Sequence, residues 1–390
     1  MIAAIAILAF IAGAQTGLQA GNCTVNLGTT HQTIDGFGGS CVWSGQITDA
    51  QADTIFGNAN NNQLGFTLAR VRIAPDGNNT DDTVNCSKAH ARGAKVLATP
   101  WTPPASMKDN GNVVGGHLLT SQYAAYATYL HNSASSMGVD YCSIQNEPDI
   151  TVTYESCTWS AAQLQTFCQN NAQNIGKPVV MPESYHFADS MSDPTLNNST
   201  SASHIAYVGG HIYGGGNTVH QNALNHGKHV WMTEHYNTGT DIGTCMTDAK
   251  EITDCMNNSM SAYFWWSMFR PGSGNDIVSG STPLKHGYTM GQFAKWAIRP
   301  GNVRVDSTYN PSSNVYVTAY KGSKVVIVAV NTGGSAVNQT FNIQNGTVTS
   351  MTPYRTSSSQ NIATLSSINL SGGSFTTSLP AQSVTTFVQN

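Results

Sequence analysis

Charge is scarce in this chain. Asp, Glu, Lys and Arg make up 10% of its 390 residues and the net charge is −4, so there is no electrostatic ground for binding nucleic acid or an anionic lipid surface. Long apolar runs are also missing. The stretch Met1–Phe10 is the most apolar, yet it falls short of the roughly 20 residues that a bilayer crossing takes. It leads to a small-residue pattern at Leu18-Gln19-Ala20, which predicts a signal peptide over residues 1–20 and a secreted protein. Metal and nucleotide signatures are absent as well. His204, His211, His220, His226, His229 and His235 crowd one span, but no HExxH or CxxC spacing occurs, and neither do GxSxG, a Walker loop or GxGxxG. No metal, no cofactor and no membrane or nucleic-acid partner is expected, and the chain is expected to act as a monomer.

Asn, Ser, Thr, Gly and Tyr are plentiful instead, a polar but uncharged surface that suits a neutral polymer ligand. The eight cysteines, an even number, are Cys23, Cys41, Cys86, Cys142, Cys157, Cys168, Cys245 and Cys255. In an exported chain they predict disulfides, with the pairing left open. Asn78, Asn257, Asn338 and Asn345 head N-x-Ser/Thr sequons that could carry glycans.

From about Thr33 to Arg299, short β-branched runs alternate with longer helix-like stretches. The strand candidates are Ile34–Gly39, Thr67–Ile73, Lys95–Thr99, Asp140–Gln145, Pro178–Pro182, Tyr207–Tyr213, His229–Glu234 and Ala262–Trp266, with helices such as Thr120–Ser136 and Ala161–Ile175 between them. Eight strands with crossover-length connections predict an α/β fold, a (β/α)8 TIM barrel over residues 34–299. Beyond Pro300-Gly301 the period changes to two: Asn314–Val330 and Thr340–Thr349 alternate apolar and polar residues with turn-rich spacers. Residues 300–390 therefore predict an attached side β-sandwich domain, and residues 21–33, similar in character, an N-terminal strand of it.

Two carboxylates stand out. Glu147 lies in Ile144-Gln145-Asn146-Glu147-Pro148-Asp149, after the fourth strand candidate, and Glu234 in Trp231-Met232-Thr233-Glu234-His235-Tyr236, at the end of the seventh. A lone Glu at a strand end is usually solvated or salt-bridged. In a barrel, however, C-terminal strand ends share one rim where reacting groups collect. Two carboxylates on that rim can flank a glycosidic oxygen; about 5–5.5 Å apart, one protonates the leaving group while the other attacks the anomeric carbon. Asn146 is placed to hydrogen-bond the sugar 2-hydroxyl. Trp101 at the end of the third strand, Trp265 at the end of the eighth and Trp43 after the first are expected as platforms for sugar faces. Trp266 should point the other way from Trp265 and serve packing.

These motifs, with Ile34-Asp35-Gly36-Phe37-Gly38-Gly39-Ser40, Arg70-Val71-Arg72-Ile73, Trp101-Thr102-Pro103-Pro104, Tyr154-Glu155-Ser156-Cys157, Gly210-His211-Ile212-Tyr213-Gly214 and Trp265-Trp266, run in the same order as in glycoside hydrolase family 30. The chain resembles that family and most closely its xylanase branch. The resemblance implies retaining hydrolysis of β-1,4-xylan, with Glu147 as acid/base and Glu234 as nucleophile. It places Arg70 against the nucleophile, although Arg72 points to the same side of its strand and a swap stays open. It also places Tyr154, His211, Tyr213 and Tyr236 in the cleft. Arg270 lines up with an arginine that many family xylanases use, beside a tyrosine, to grip a glucuronic acid branch; an ordinary surface arginine is the other reading. The tyrosine position holds Gly272, and Asn237-Thr238-Gly239-Thr240 also departs from the pattern, so weakened or absent dependence on that branch is expected. Hydrolysis of another β-glycan and non-catalytic carbohydrate binding are the competing functions, and an intact carboxylate pair argues against the latter.

Overall fold

The computed structural model describes residues 19–270 and 272–390, so the expected leader lies almost wholly outside the described residues. After a first strand, β1 (Gln19–Thr33), the barrel is formed by β2 (Gly36–Ser40), β3 (Leu68–Ile73), β4 (Lys95–Pro100), β5 (Tyr141–Ser143), β6 (Val179–Ser184), β7 (Tyr207–His211), β8 (His229–His235) and β9 (Met260–Trp265). These eight strands are parallel, pair in chain order and close where β2 meets β9. The (β/α)8 expectation holds.

Away from their C-terminal ends the barrel strands are mostly apolar, because both faces are buried, one inside the barrel and one under the helices. Leu68, Leu97, Tyr141, Val180, Trp231, Ala262 and Phe264 fill the interior. Ala69, Val71, Met232, Tyr263 and Trp265 belong to the outer layer between strands and helices. The glycines of β2 reflect close packing: a Cβ on Gly38 would come within 2.6 Å of the Leu68 carbonyl oxygen. The helix expected over Ala161–Ile175 is α-helical over Ala161–Asn170, started by a capping box between Ser160 and Gln163, and ends in a 3-10 turn over Ala172–Ile175. Among the described residues no helix is long and apolar enough to cross a membrane.

The side domain takes strands from both chain ends. β1 pairs antiparallel with Val303–Ser307 and parallel with Val337–Gln344. Its ten-stranded sheet folds back on itself, since Phe387 near one end of the strand order packs on Phe341 and Phe375 at the other, with ring centroids 5.3 and 5.2 Å away. The strand Val325–Asn331 is buried along its whole length. Val325, Ile327 and Ala329 face the core within this sheet, while Val326, Val328 and Val330 face the barrel. That continuous apolar run therefore locks the two parts together.

The disulfide expectation needs correction. All eight cysteines are free and buried. Seven sit in the layer around the barrel and Cys23 in the side-domain core. They act as small apolar fillers. Burial pushes up the thiols of Cys23, Cys41, Cys86, Cys142, Cys157, Cys168 and Cys255, Cys86 to about 12, so the nucleophilic thiolate is suppressed there.

Candidate active site

Glu147 and Glu234 meet at the C-terminal rim of the barrel. One oxygen of each and one ring nitrogen of His211 all lie within 4.8 Å of one another. Both carboxylates are nearly buried, 6% exposed each. Glu147 sits at φ 46, and its backbone N–H donates to the Glu183 carbonyl at 3.0 Å. Asn146 N–H donates to the Pro100 carbonyl at 2.8 Å. The loop after β5 is thus tied to both neighbouring strands.

Glu234 reaches the site through an irregularity. Trp231 faces the barrel interior, so strict alternation would turn Glu234 outward. Between β7 and β8 the register slips by one residue, with Gly210 opposite Met232 but His211 opposite Glu234. Such a bulge re-aims a side chain. A similar slip between Pro182 and Ser184 in β6 frees Glu183.

Arg70 organises the floor. It is fully buried, and its Nη1 donates to Glu234 Oε2 at 2.5 Å, its Nη2 to Asn146 Oδ1 at 2.6 Å and its Nε to Thr99 Oγ1 at 3.2 Å. Its Nε also lies 3.2 Å from Glu183 Oε1. Burial works against the cation, but Glu183 and then Glu234 outweigh it and raise its pKa. Arg72 sits further up the strand, in a fork on Glu155 with Nε 2.8 Å from Oε2, so Arg70 is the one at the carboxylate pair.

His211 Nδ1 lies 3.0 Å from Glu147 Oε1 and 3.8 Å from Glu234 Oε1. Burial opposes its charge, yet Glu234 and Glu147 together raise its pKa. The Tyr213 hydroxyl donates to Glu234 Oε1 at 3.0 Å and the Tyr154 hydroxyl to Glu147 Oε2 at 3.4 Å. Burial, and after it the nearby carboxylates, raise both phenols, so they remain donors. Glu147, His211 and Glu234 also form a group that could hold a cation. The Arg70 guanidinium already supplies positive charge to Glu234 there.

Above these groups opens a cleft of about 850 Å3, lined by Trp43, Trp101, Tyr154, Tyr213, Tyr236, Trp266 and Arg270 beside the two glutamates. Trp43, Trp101 and Trp266 cluster with ring centroids 5.2–6.0 Å apart. Arg270 is exposed and lies 5.9 Å from the ring centroids of both Trp43 and Trp266.

One expected platform is misplaced. Trp265 is fully buried, donates from Nε1 to the Asn275 carbonyl at 2.7 Å and packs on His286. Trp266 lines the cleft instead. The strand parity of Ala262 and Phe264, which point inward, carries to Trp266, and Trp265 shares the outward parity of Tyr263. Sequence reading also missed Glu183, Tyr185, Asn237 and Thr238. Tyr185 stacks on Tyr213 at 5.1 Å, and with Asn237 and Thr238 it lines the cleft. Pro182-Glu183 at the end of β6, like Asn146-Glu147 after β5, was the available signal.

The chain matches no family model. It is 38% identical over 402 aligned residues to the glucuronoxylanase XynC of Bacillus subtilis (strain 168), covering 97% of this chain and 94% of that protein. Among solved structures it resembles the glycoside hydrolase family 30 subfamily 8 xylanase Xyn30A from Clostridium acetobutylicum. That match has a TM-score of 0.90 and 44% identity, over 95% of this chain and 99% of that one. A family 30 endoxylanase from Clostridium papyrosolvens C71 matches with a TM-score of 0.87 and 40% identity, over 95% and 100% of the two chains.

Proposed function

Because the chain belongs to glycoside hydrolase family 30, we propose that it is a secreted endo-β-1,4-xylanase that works by double displacement. Glu234 is the nucleophile and Glu147 the acid/base. The observation that carries this reading is the approach of the two carboxylates within 4.8 Å, with Arg70 on Glu234. A retaining pair stands about 5–5.5 Å apart, whereas an inverting pair needs about 6.5–9.5 Å to admit a water.

In the first step a Glu234 oxygen attacks the anomeric carbon, the glycosidic C–O bond breaks, and the leaving oxygen takes the proton of Glu147. In the second, Glu147 removes a proton from water as that water displaces Glu234 from the glycosyl ester. Arg70 and the Tyr213 hydroxyl hold Glu234 ionised and oriented. Asn146 gives its Oδ1 to Arg70, which leaves Nδ2 to donate to a sugar hydroxyl. Trp43 and Trp266 offer planes for sugar C–H faces, backed by Trp101, which is nearly buried and has the Arg70 guanidinium over its ring. The apolar leader and the uncharged surface support export.

Dependence on a glucuronic acid branch is weakened or absent. Arg270 retains the charge such a branch needs, but Gly272 offers no hydroxyl beside it. A reducing-sugar assay on xylan, β-glucan and mannan tests the substrate class, and activity confined to the last two would overturn it. Comparing kcat/KM on glucuronoxylan with that on unbranched xylan tests branch dependence. A preference of about a thousandfold, or 4 kcal/mol, for the branched polymer would sink that part.

A further inference from the structure

Trp43 borders more than the cleft. It also lines a second hollow of about 390 Å3, whose walls include Arg72, Asn78, Asp81, Asp82 and Asn85. None of the last five lines the carboxylate cleft. The indole is 42% exposed, an unusual state for a tryptophan that packs on Trp101 at 5.2 Å. It is the residue that the linings of the two spaces share.

The polar groups there are partly used and partly free. Asp82 Oδ1 accepts from the Arg72 backbone N–H at 3.1 Å, and Asp81 Oδ1 accepts from Gln46 Nε2 at 2.9 Å. Among the described residues no protein donor reaches the second oxygen of either. Asn78 Oδ1 is engaged by Thr80 Oγ1 at 2.9 Å, which leaves its Nδ2 as a donor. The Arg72 guanidinium is forked onto Glu155, so its charge is already met. The hollow therefore offers carboxylate acceptors, an amide donor and an aromatic edge, and its balance of charge is negative. Vicinal hydroxyls of an uncharged pyranose or furanose satisfy those groups, whereas a uronate would face two carboxylates.

We propose that this hollow is an accessory subsite for a neutral sugar unit of the substrate chain, remote from the bond that is cut. The proposal rests on the reading of the chain as a xylan-cleaving hydrolase for the identity of the polymer, and on the hollow's own chemistry for the neutral unit. Asp81 is exposed and stands outside the core, so its replacement leaves folding intact.

The test compares wild type with Asp81→Ala and Asn78→Ala on linear xylo-oligosaccharides from xylotriose to xylooctaose. In wild type kcat/KM rises along the series. In Asp81→Ala the ratio between long and short substrates falls about tenfold, the worth of a charged hydrogen bond, and the change lies in KM. Asn78→Ala moves the ratio the same way by a smaller factor. A ratio unchanged in both variants, or a fall of equal size at every length, overturns the subsite. Calorimetric binding of xylooctaose to Glu147→Gln, with and without Asp81→Ala, reads the hollow without catalysis. Weaker binding in the double variant supports the subsite even if wild type proves inactive on xylan, which would refute only the activity, and equal binding refutes the subsite.

Discussion

Arg70 Nη1 lies 2.5 Å from Glu234 Oε2 in the barrel floor, and the same guanidinium holds Asn146, the residue before Glu147. One buried cation thus couples the loop after β5, which carries Glu147, to the end of β8, which carries Glu234. Arg70→Met keeps much of the volume but leaves Glu234 and Glu183 buried without their counter-charge. It is expected to cost about 3–5 kcal/mol in urea unfolding and to lower kcat by about a hundredfold or more. A folded variant with normal kcat would refute the coupling.

The two glutamates should separate by leaving group. Glu147→Gln removes the proton donor, so turnover of xylan collapses, while an aryl xylobioside with an acidic phenol still forms the glycosyl ester and releases a burst of phenol. Glu234→Gln removes the attacking oxygen, and neither substrate reacts. Equal loss on both substrates in the two variants would contradict the assigned roles.

Adjacent tryptophans should fail differently. Trp266→Ala strips a cleft platform and raises KM by about tenfold, with a near-normal melting temperature. Trp265→Ala opens a cavity and orphans the Asn275 carbonyl, at a cost of about 3–5 kcal/mol. Thermal melts and kinetics on the same preparations check both. The reverse pattern would restore Trp265 to the cleft.

Under the cleft, His286 Nδ1 lies 2.7 Å from Asp248 Oδ2, and Asn237 Nδ2 donates to Asp248 Oδ1 at 2.9 Å. Burial opposes charge on His286, but the hydrogen bond to Asp248 prevails and lifts its pKa from 6.5 to about 10. Burial lifts Asp248 as well. The folded protein therefore holds these protons more tightly than the unfolded chain. The stabilisation from His286 is complete below pH 6.5 and is lost as pH rises through about 10. Urea midpoints measured across that range should fall in wild type and flatten in His286→Gln. A wild-type profile that rises with pH would be fatal to this account.

Much of the architecture was legible before any coordinates. The eight runs from Ile34 to Trp266 read as barrel strands because a strand buried on both faces must be apolar along its length. Glu147 and Glu234 then fell on one rim, since parallel strands put all their C-terminal ends on the same side. The aromatic residues near those ends followed for the same reason. Counting by twos went wrong at Trp265, where the inward parity had to be taken from Phe264. It gave no warning of the register slips at Glu183 and Glu234, because a bulge is a relation between two strands and leaves no mark in either one alone.

Covalent connectivity of the chain, strand order and the placement of two carboxylates at one end of a barrel were settled by amino-acid order, through local periodicity and the handed geometry of βα units. Packing decided the rest: that Arg70 rather than Arg72 meets Glu234, that Trp266 rather than Trp265 faces the cleft, and that the cysteines fill space singly. Those outcomes depend on which side chains converge from distant strands, and convergence exists only once the barrel has closed.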